Sequence, residues 1–492
     1  MTSAEINWFY LIPEGLILFC IILLCFFEFF LNHIQKYYIT ILCCSFLIIS
    51  LIVLILNWMH FLSETGSVFS FFESFETDSL TILFRILIVL ATLFSILFSF
   101  NYIENSTKLI IEFNIFILTA ALGGMLLSGA NNLILVFISF ETLSLSSYLL
   151  TAYTKLDNRS NEAALKYFSL GALSSCIVLY SFSLIYGFSN GNLELNIIHQ
   201  NILTWSPEKI SNLIISFLFL IVGIGFKLAA APFHQWAPDV YEGSPTPAVA
   251  FLSIGSKAAI ICFTIRILSL VFFKLDYQKI FELLAILSLI IGSFSALNQQ
   301  SFKRLLAYSS INQIGFLLIG FTIATKIGYI SLIFYLIVYF FTNFGVFACL
   351  ILYSLKTGKD TIQDYKSLTN KNPLFSFCLI CCLLSLAGFP PFSGFFSKLS
   401  IFILGWQSGH YTLIFIALLT SLVSIFYYLR IIKIMILPSS NQFRVTLLSY
   451  SNLFSFGLSL FVCLFGTIFI GFFGNWVFNL IEQTLNSTPY II

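Results

Sequence analysis

Residues Ile221 to Ala259 read IVGIGFKLAAAPFHQWAPDVYEGSPTPAVAFLSIGSKAA, and the charges inside this stretch decide how the rest of the chain is read. Lys227 stands in an apolar run five residues before Pro232, and His234 and Lys257 follow at membrane depth. An ammonium at the centre of a spanning helix costs about 2.5–3.5 kcal/mol on insertion scales, so a chain that keeps several must use them. Pro232 removes a backbone donor and predicts a broken helix whose freed carbonyls lie beside the charge. Proton handling is the chemistry this pattern implies.

The composition agrees. Of 492 residues, 59% are apolar and 9% charged, which excludes a soluble domain with an anchor and predicts an all-α polytopic membrane protein. The net charge of +2 decides nothing until the charges are placed, and placed in membrane loops they leave no nucleic acid among the expected partners. The eleven cysteines all fall in apolar runs and read as small hydrophobes; Cys378, Cys381 and Cys382 have helical spacing and no nearby histidine, which argues against a metal. The opening MTSAEINWFYLIPEG has neither a transit pattern nor a basic signal region, so an unprocessed product is expected. Abundant Phe, Ile, Leu, Asn and Tyr fit an AT-rich genome such as an organelle's.

Apolar runs of about 20 residues predict spans near 8–30, 37–59, 78–102, 110–130, 132–152, 161–187, 210–238, 246–272, 279–298, 304–323, 327–355, 373–403, 409–434 and 452–480. That makes fourteen, with the turn at Gly129 to Asn132 the least secure division. Loop charge checks the count. Odd-numbered loops hold thirteen basic residues, among them Lys36, Lys108, Lys303, Lys356 to Lys371 and Arg444, against four in the even loops. This asymmetry puts the odd loops on the cytoplasmic-equivalent face and both termini opposite. Six basic residues remain inside spans: Arg85, Lys166, Lys227, Lys257, Arg266 and Lys398. Arg85 and Arg266 read as snorkelling or structurally paired, and Lys166 has Glu162 one turn before it.

Span twelve carries AGFPPFSGFFSKLSIF, with Pro390 and Pro391 ahead of Lys398. It lies five spans after the Lys227 element and so crosses in the opposite sense. Two proline-broken, lysine-bearing helices in corresponding places predict inverted five-helix repeats with the site at the breaks. The implied organisation is three N-terminal spans over 1–108, repeats over 109–272 and 273–436, and a last span in 437–492.

Glu141, in LILVFISFETLSLSSYLL, is the acidic residue at mid-span, and a buried carboxylate stays ionised only beside a cation, so a pair with a lysine is expected. Lys227 and Lys257 are the candidates to accept a proton, His234 to relay it, and Lys398 to pass charge onward. Ser139, Thr142, Ser144, Ser146, Ser147, Tyr148, Ser309, Ser310, Asn312 and Gln313 supply polar atoms for the waters such a chain needs. Redox chemistry is not expected here, because the sequence offers no cysteine framework, no GxGxxG after a strand and no deep histidine pair.

FKLAAAPFHQWAPDVYEGSPTPAVAFLSIGSKAA, LTAALGGMLLSGANNL, RSNEAALKYFSLGALSS, KRLLAYSSINQIGF and LAGFPPFSGFFSKL together resemble the antiporter-like membrane subunit 2 of type I NAD(P)H-quinone oxidoreductases. The likeness runs from about Pro13 to Lys433, and FHQW, VAFLSIGSKAA and KTGKDTIQDY are most similar to the plastid and cyanobacterial B subunit. The resemblance implies proton translocation through Glu141, Lys227, Lys257 and Lys398; His234 and Lys166 are the candidate relays beside them. It also implies a multi-pass thylakoid subunit with lumenal termini in a complex that passes electrons from ferredoxin or NAD(P)H to plastoquinone, supporting cyclic flow around photosystem I. Expected partners are other membrane-arm subunits, a peripheral arm, lipids and a photosystem I supercomplex. No cofactor is expected in this chain; plastoquinone, iron–sulfur clusters and the donor site belong to other subunits. A cation/proton antiporter, a mitochondrial or bacterial complex I subunit, and a purely structural membrane subunit stay open as alternatives.

Overall fold

In lipid every backbone N–H and C=O must be satisfied within its own segment, and the long apolar runs accordingly become helices. The computed structural model describes residues 8–30, 36–63, 66–103, 107–438 and 450–488. The first half comprises α1 (Ile12–Phe30), α2 (Lys36–Ser63), α3 (Ser79–Tyr102), α4 (Thr107–Gly129), α5 (Leu133–Thr151), α6 (Asn158–Phe188), α7 (Leu195–Leu203), α8 (Pro207–Leu228), α9 (Trp236–Gly243) and α10 (Thr246–Leu270). The second comprises α11 (Gln278–Leu297), α12 (Phe302–Ile323), α13 (Lys326–Thr357), α14 (Leu368–Lys371), α15 (Pro373–Ala387), α16 (Ser393–Gln407), α17 (Tyr411–Ile436) and α18 (Tyr450–Asn486). Among the described residues thirteen helices are long and apolar enough to cross a membrane. The remaining predicted crossing is shared by α15 and α16, of 15 residues each.

Several elements differ from expectation for local reasons. The run expected as one crossing over 210–238 stops at Leu228, because Ala229 turns left-handed (φ 60°) and Pro232 lacks an N–H. The stretch expected over 373–403 stops at Ala387, where Gly388 (φ +90°) closes the turn that only glycine adopts freely. Between α6 and α8, expected as plain loop, Leu195, Ile198 and Ile202 are buried at helical spacing and form α7. A small antiparallel hairpin, β1 (Val68–Ser70) with β2 (Phe75–Thr77), pairs Val68 with Thr77 before α3. Asp78 then caps α3, its side chain accepting from Thr81 N while the Thr81 hydroxyl accepts from Asp78 N. The tight turn between α4 and α5 is real: Asn132 caps α5 by accepting from Ile134 N.

α10 is buried along its whole length, and α12 and α13 nearly so, while α1, α2, α6 and α17 keep most of their surface for lipid or partners. An α-helix buried all round belongs in the core, so the ionisable groups of α10 lie far from bulk water. Both described ends of the chain meet at one face. Glu14 of α1 pairs with Arg85, and Ser79 donates to the Thr484 carbonyl of α18 at 2.6 Å. An even number of crossings requires this arrangement. The opposite face gathers odd-loop residues: Ser301 bridges to Thr361, Lys303 pairs with Asp360 at 2.9 Å, and Arg430 donates to Leu297 O at 3.0 Å. Arg444 and His33 lie outside the described residues.

Candidate proton-handling site

Lys227 occupies the last turn of α8, immediately before the break. Its ammonium lies over three rings, Phe140 at 4.9 Å, Tyr148 at 5.3 Å and Phe226 at 6.0 Å, two of them on α5. Ring faces attract a desolvated cation but offer it no acceptor, and Nζ has no hydrogen-bond partner among the described residues. Glu141 lies on the same helix as Phe140 and its charge acts on Lys227. The two form no direct ion pair among the described residues; Glu141 Oε2 accepts from Ser144 Oγ at 3.1 Å, and Oε1 is buried without a partner.

Lys257 is 1% exposed on α10, and its Nζ likewise has no partner among the described residues. One helical turn before it, Ser253 starts a polar chain. Asn343 Nδ2 of α13 donates to Ser253 Oγ at 2.9 Å and lies 3.1 Å from the Tyr339 hydroxyl. Tyr335, one turn from Tyr339, donates to Gln313 Oε1 of α12. Gln313 Nε2 donates to Leu386 O at 3.4 Å. The chain ends at Lys398, whose ammonium donates to Leu386 O at 2.9 Å and Ala387 O at 3.0 Å. These carbonyls are free because α15 stops there, so the break builds the seat of the lysine. Gln313, Tyr335, Tyr339, Thr342 and Lys398 line a cavity of about 10 Å³, the size of one water.

The break after α8 is built in the same way: a left-handed residue ends the helix, Ala229 there and Gly388 in the second. Trp236 Nε1 donates to Phe226 O at 2.8 Å and ties α9 back to α8.

His234 sits in the turn between α8 and α9, half-buried, with Nδ1 unpartnered among the described residues. Lys166 lies elsewhere, on the surface. It pairs with Glu162 and with Asp239 at 2.7 Å each, and Arg304 reaches Asp239 at 3.3 Å and Glu242 at 3.4 Å. Most of the expected water-holding serines instead bond carbonyls of their own helices, as Ser139, Ser147 and Ser309 do. Arg85 and Arg266 are structurally paired, with Glu14 and with Asp78 and Glu76. Sequence reasoning missed Ser253, Tyr335, Tyr339 and Asn343, although Tyr335, Tyr339 and Asn343 recur every four residues in an apolar helix, a stripe readable from sequence.

A polytopic helical bundle with two helices interrupted beside buried lysines defines an antiporter-like membrane subunit. Residues 130–424 match the family described as NADH:quinone oxidoreductase/Mrp antiporter, TM. The chloroplastic NAD(P)H-quinone oxidoreductase subunit 2 of Mesostigma viride is 46% identical over 455 residues, covering 91% of this chain and 90% of that protein. The subunit 2 of Thermosynechococcus vestitus is 48% identical over 431 residues, covering 86% and 83%. A chain of respiratory complex I from Thermus thermophilus, solved with bound aureothin, superposes with a TM-score of 0.78 at 28% identity over 95% of this chain and 98% of that one. The chain belongs to the NADH:quinone oxidoreductase/Mrp antiporter family and, within it, to the subunit 2 proteins of chloroplast and cyanobacterial NAD(P)H-quinone oxidoreductases.

Proposed function

We propose that this chain translocates protons as a membrane-arm subunit of a thylakoid NAD(P)H-quinone oxidoreductase. The observation that carries the reading is a line of polar groups between Lys257 and Lys398 in two hydrogen-bonded stretches, Ser253–Asn343–Tyr339 and Tyr335–Gln313–Leu386 O–Lys398, with Tyr335 and Tyr339 one turn apart on α13. The ammonium groups of Lys227 and Lys257 have no acceptor among the described residues, whereas that of Lys398 is seated on two carbonyls. Lys227 and Lys257 are therefore the groups that load and unload, and Lys398 the one that holds charge at the second break. Glu141 sets the balance at Lys227: its carboxylate favours the ammonium, and moving or neutralising it releases a proton toward Lys257. His234 and Lys166 complete the relay, the first at the α8 break and the second in the charged network on the odd-loop face.

The electron chemistry lies in neighbouring subunits, with ferredoxin or NAD(P)H as donor and plastoquinone as acceptor, in support of cyclic flow around photosystem I. No cofactor is assigned to this chain. Its neighbours are other membrane-arm subunits, the peripheral arm and lipids. Five-helix repeats over 109–272 and 273–436 supply the two breaks, as the matching left-handed stops at Ala229 and Gly388 support.

The test is proton uptake per quinone reduced in assembled complex. Glu141→Gln is expected to lower the ratio while the complex still forms; an unchanged ratio removes Glu141 from the mechanism. A cation/proton antiporter is the competing reading because the family description covers both classes. Sodium-dependent turnover in oriented vesicles, with a proton ratio indifferent to Lys257→Met, decides for it.

A further inference from the structure

A second group of ionisable side chains, separate from the lysine chain, is buried where α1, α3, β2 and α10 meet. Arg85 Nη1 lies 3.3 Å from Glu14 Oε1. Arg266 Nη2 lies 3.1 Å from Asp78 Oδ2 and 3.5 Å from Glu76 Oε2. The side chains are between 0% and 8% exposed, and the charges of Asp78 and Arg266 act on Arg85, so the five form one cluster. Three carboxylates face two guanidiniums. Fully ionised, the cluster buries an uncompensated negative charge, which is costly and which one bound proton removes.

The surroundings single out the carboxylate. Asp78 is committed as an anion, since Oδ1 caps α3 by accepting from Thr81 N at 2.7 Å and Oδ2 accepts from Arg266. Glu14 also has neither oxygen hydrogen-bonded among the described residues, but it has Arg85 at 3.3 Å, an arginine that no other described carboxylate pairs with. Glu76 is left with the longer contact to an arginine it shares, and it is fully buried with neither oxygen hydrogen-bonded among the described residues. Ser67 and Asn196, both neutral, face it. Further acidic groups on the packed elements are the Cys262 thiol of α10, Glu73 of the hairpin turn and Glu194 before α7. Lys257, nine residues before Arg266 on α10, and His199 of α7, whose Nδ1 lies 2.9 Å from Leu270 O, are the other basic groups on these elements, and the charges that act on Glu76 are those of Arg266 and Asp78.

We propose that Glu76 is a proton-binding site, holding one proton as a neutral carboxylic acid while Asp78 and Glu14 stay ionised against Arg266 and Arg85. Burial pushes the Glu76 carboxyl above its ordinary range, Arg266 pulls it down, Asp78 pushes it up again, and Ser67 and Asn196 pull it down by less, so the net direction is upward, in agreement with the geometry. Arg266 follows Lys257 by nine residues, about 13 Å along α10 and half a turn around it. The site therefore stands on the other side of the helix from Lys257, toward the face where both described chain ends meet. There it serves as a station for release: the acid gives its proton to a base at that face, the carboxylate left behind pairs with Arg266, and a proton from inside restores the acid. Nothing is oxidised or reduced. This role, unlike the protonation itself, rests on the chain being proton-translocating.

Infrared spectroscopy on intact complex labelled with ¹³C-carboxyl glutamate tests the site. A protonated glutamate carbonyl band at neutral pH, shifted by the label and lost in Glu76→Gln, is expected. Absence of that band from unmodified complex, or its survival in Glu76→Gln, overturns the proposal, and the first result needs no variant to assemble. Protons moved per quinone reduced test the role, with a drop expected in Glu76→Gln and recovery in Glu76→Asp. An unchanged ratio in Glu76→Gln beside a lowered one in Lys227→Ala sinks the release role alone. An unchanged ratio in both sinks the translocation reading, while the infrared band still decides the proton.

Discussion

The three buried lysines differ in what holds them, and the difference gives opposite signs for the same substitution. Lys257 has no acceptor among the described residues, so Lys257→Met removes an uncompensated buried charge. The complex is expected to assemble with equal or higher thermal stability and to lose proton translocation. Lys398 instead supplies the donors for Leu386 O and Ala387 O. Lys398→Met strands both carbonyls, at a cost of about 1–3 kcal/mol each, and is expected to lower the midpoint of thermal inactivation as well as the proton ratio. Equal shifts in the two variants contradict this distinction. The lysines themselves were legible in the sequence because a charge inside an apolar run stands out. Their partners were not, since Lys398 is held by backbone carbonyls, which carry no residue-type signal, and Lys227 by rings of α5, more than seventy residues away in the chain.

At the scale of elements, the prolines correctly marked both breaks but left their exact ends open, because a left-handed residue stops the helix before the proline is reached. The hairpin and α7 were hidden in loop-sized stretches too short for a spanning pattern. The second break depends on close approach of α15 and α16. A side chain on Gly394 collides with the carbonyl of Ser385, which is backbone and cannot yield. Gly394→Ala is therefore expected to prevent accumulation of assembled complex on native gels, more severely than Gly388→Ala, whose left-handed backbone costs about 1–2 kcal/mol. The stripe on α13 gives a milder test. Asn343→Leu cuts the link to Ser253 without touching a lysine, so proton translocation should fall while assembly survives; an unaffected ratio removes α13 from the path.

For the whole molecule, the basic-residue asymmetry and the contacts at the two faces give the same partition from independent physics. The positive-inside bias acts during insertion, on charges in short loops. The contacts act afterwards, in the folded bundle, and they join Ser301 to Thr361 and Lys303 to Asp360 on one side, Ser79 to Thr484 and Arg85 to Glu14 on the other. A miscounted crossing separates partners that the fold holds together, so the count and the partition stand or fall jointly. In the proposed thylakoid placement, the loop charges alone assign the stromal face. The loop from Lys356 to Lys371 is therefore expected on the stromal side, and the hairpin around Phe72 with both termini in the lumen. Single cysteines placed at Lys359 and at Phe72, both exposed, should react with a membrane-impermeant thiol reagent from opposite sides of oriented thylakoids. Stromal labelling at position 72, or labelling of both from one side, breaks the assignment of release to the face that carries Glu76.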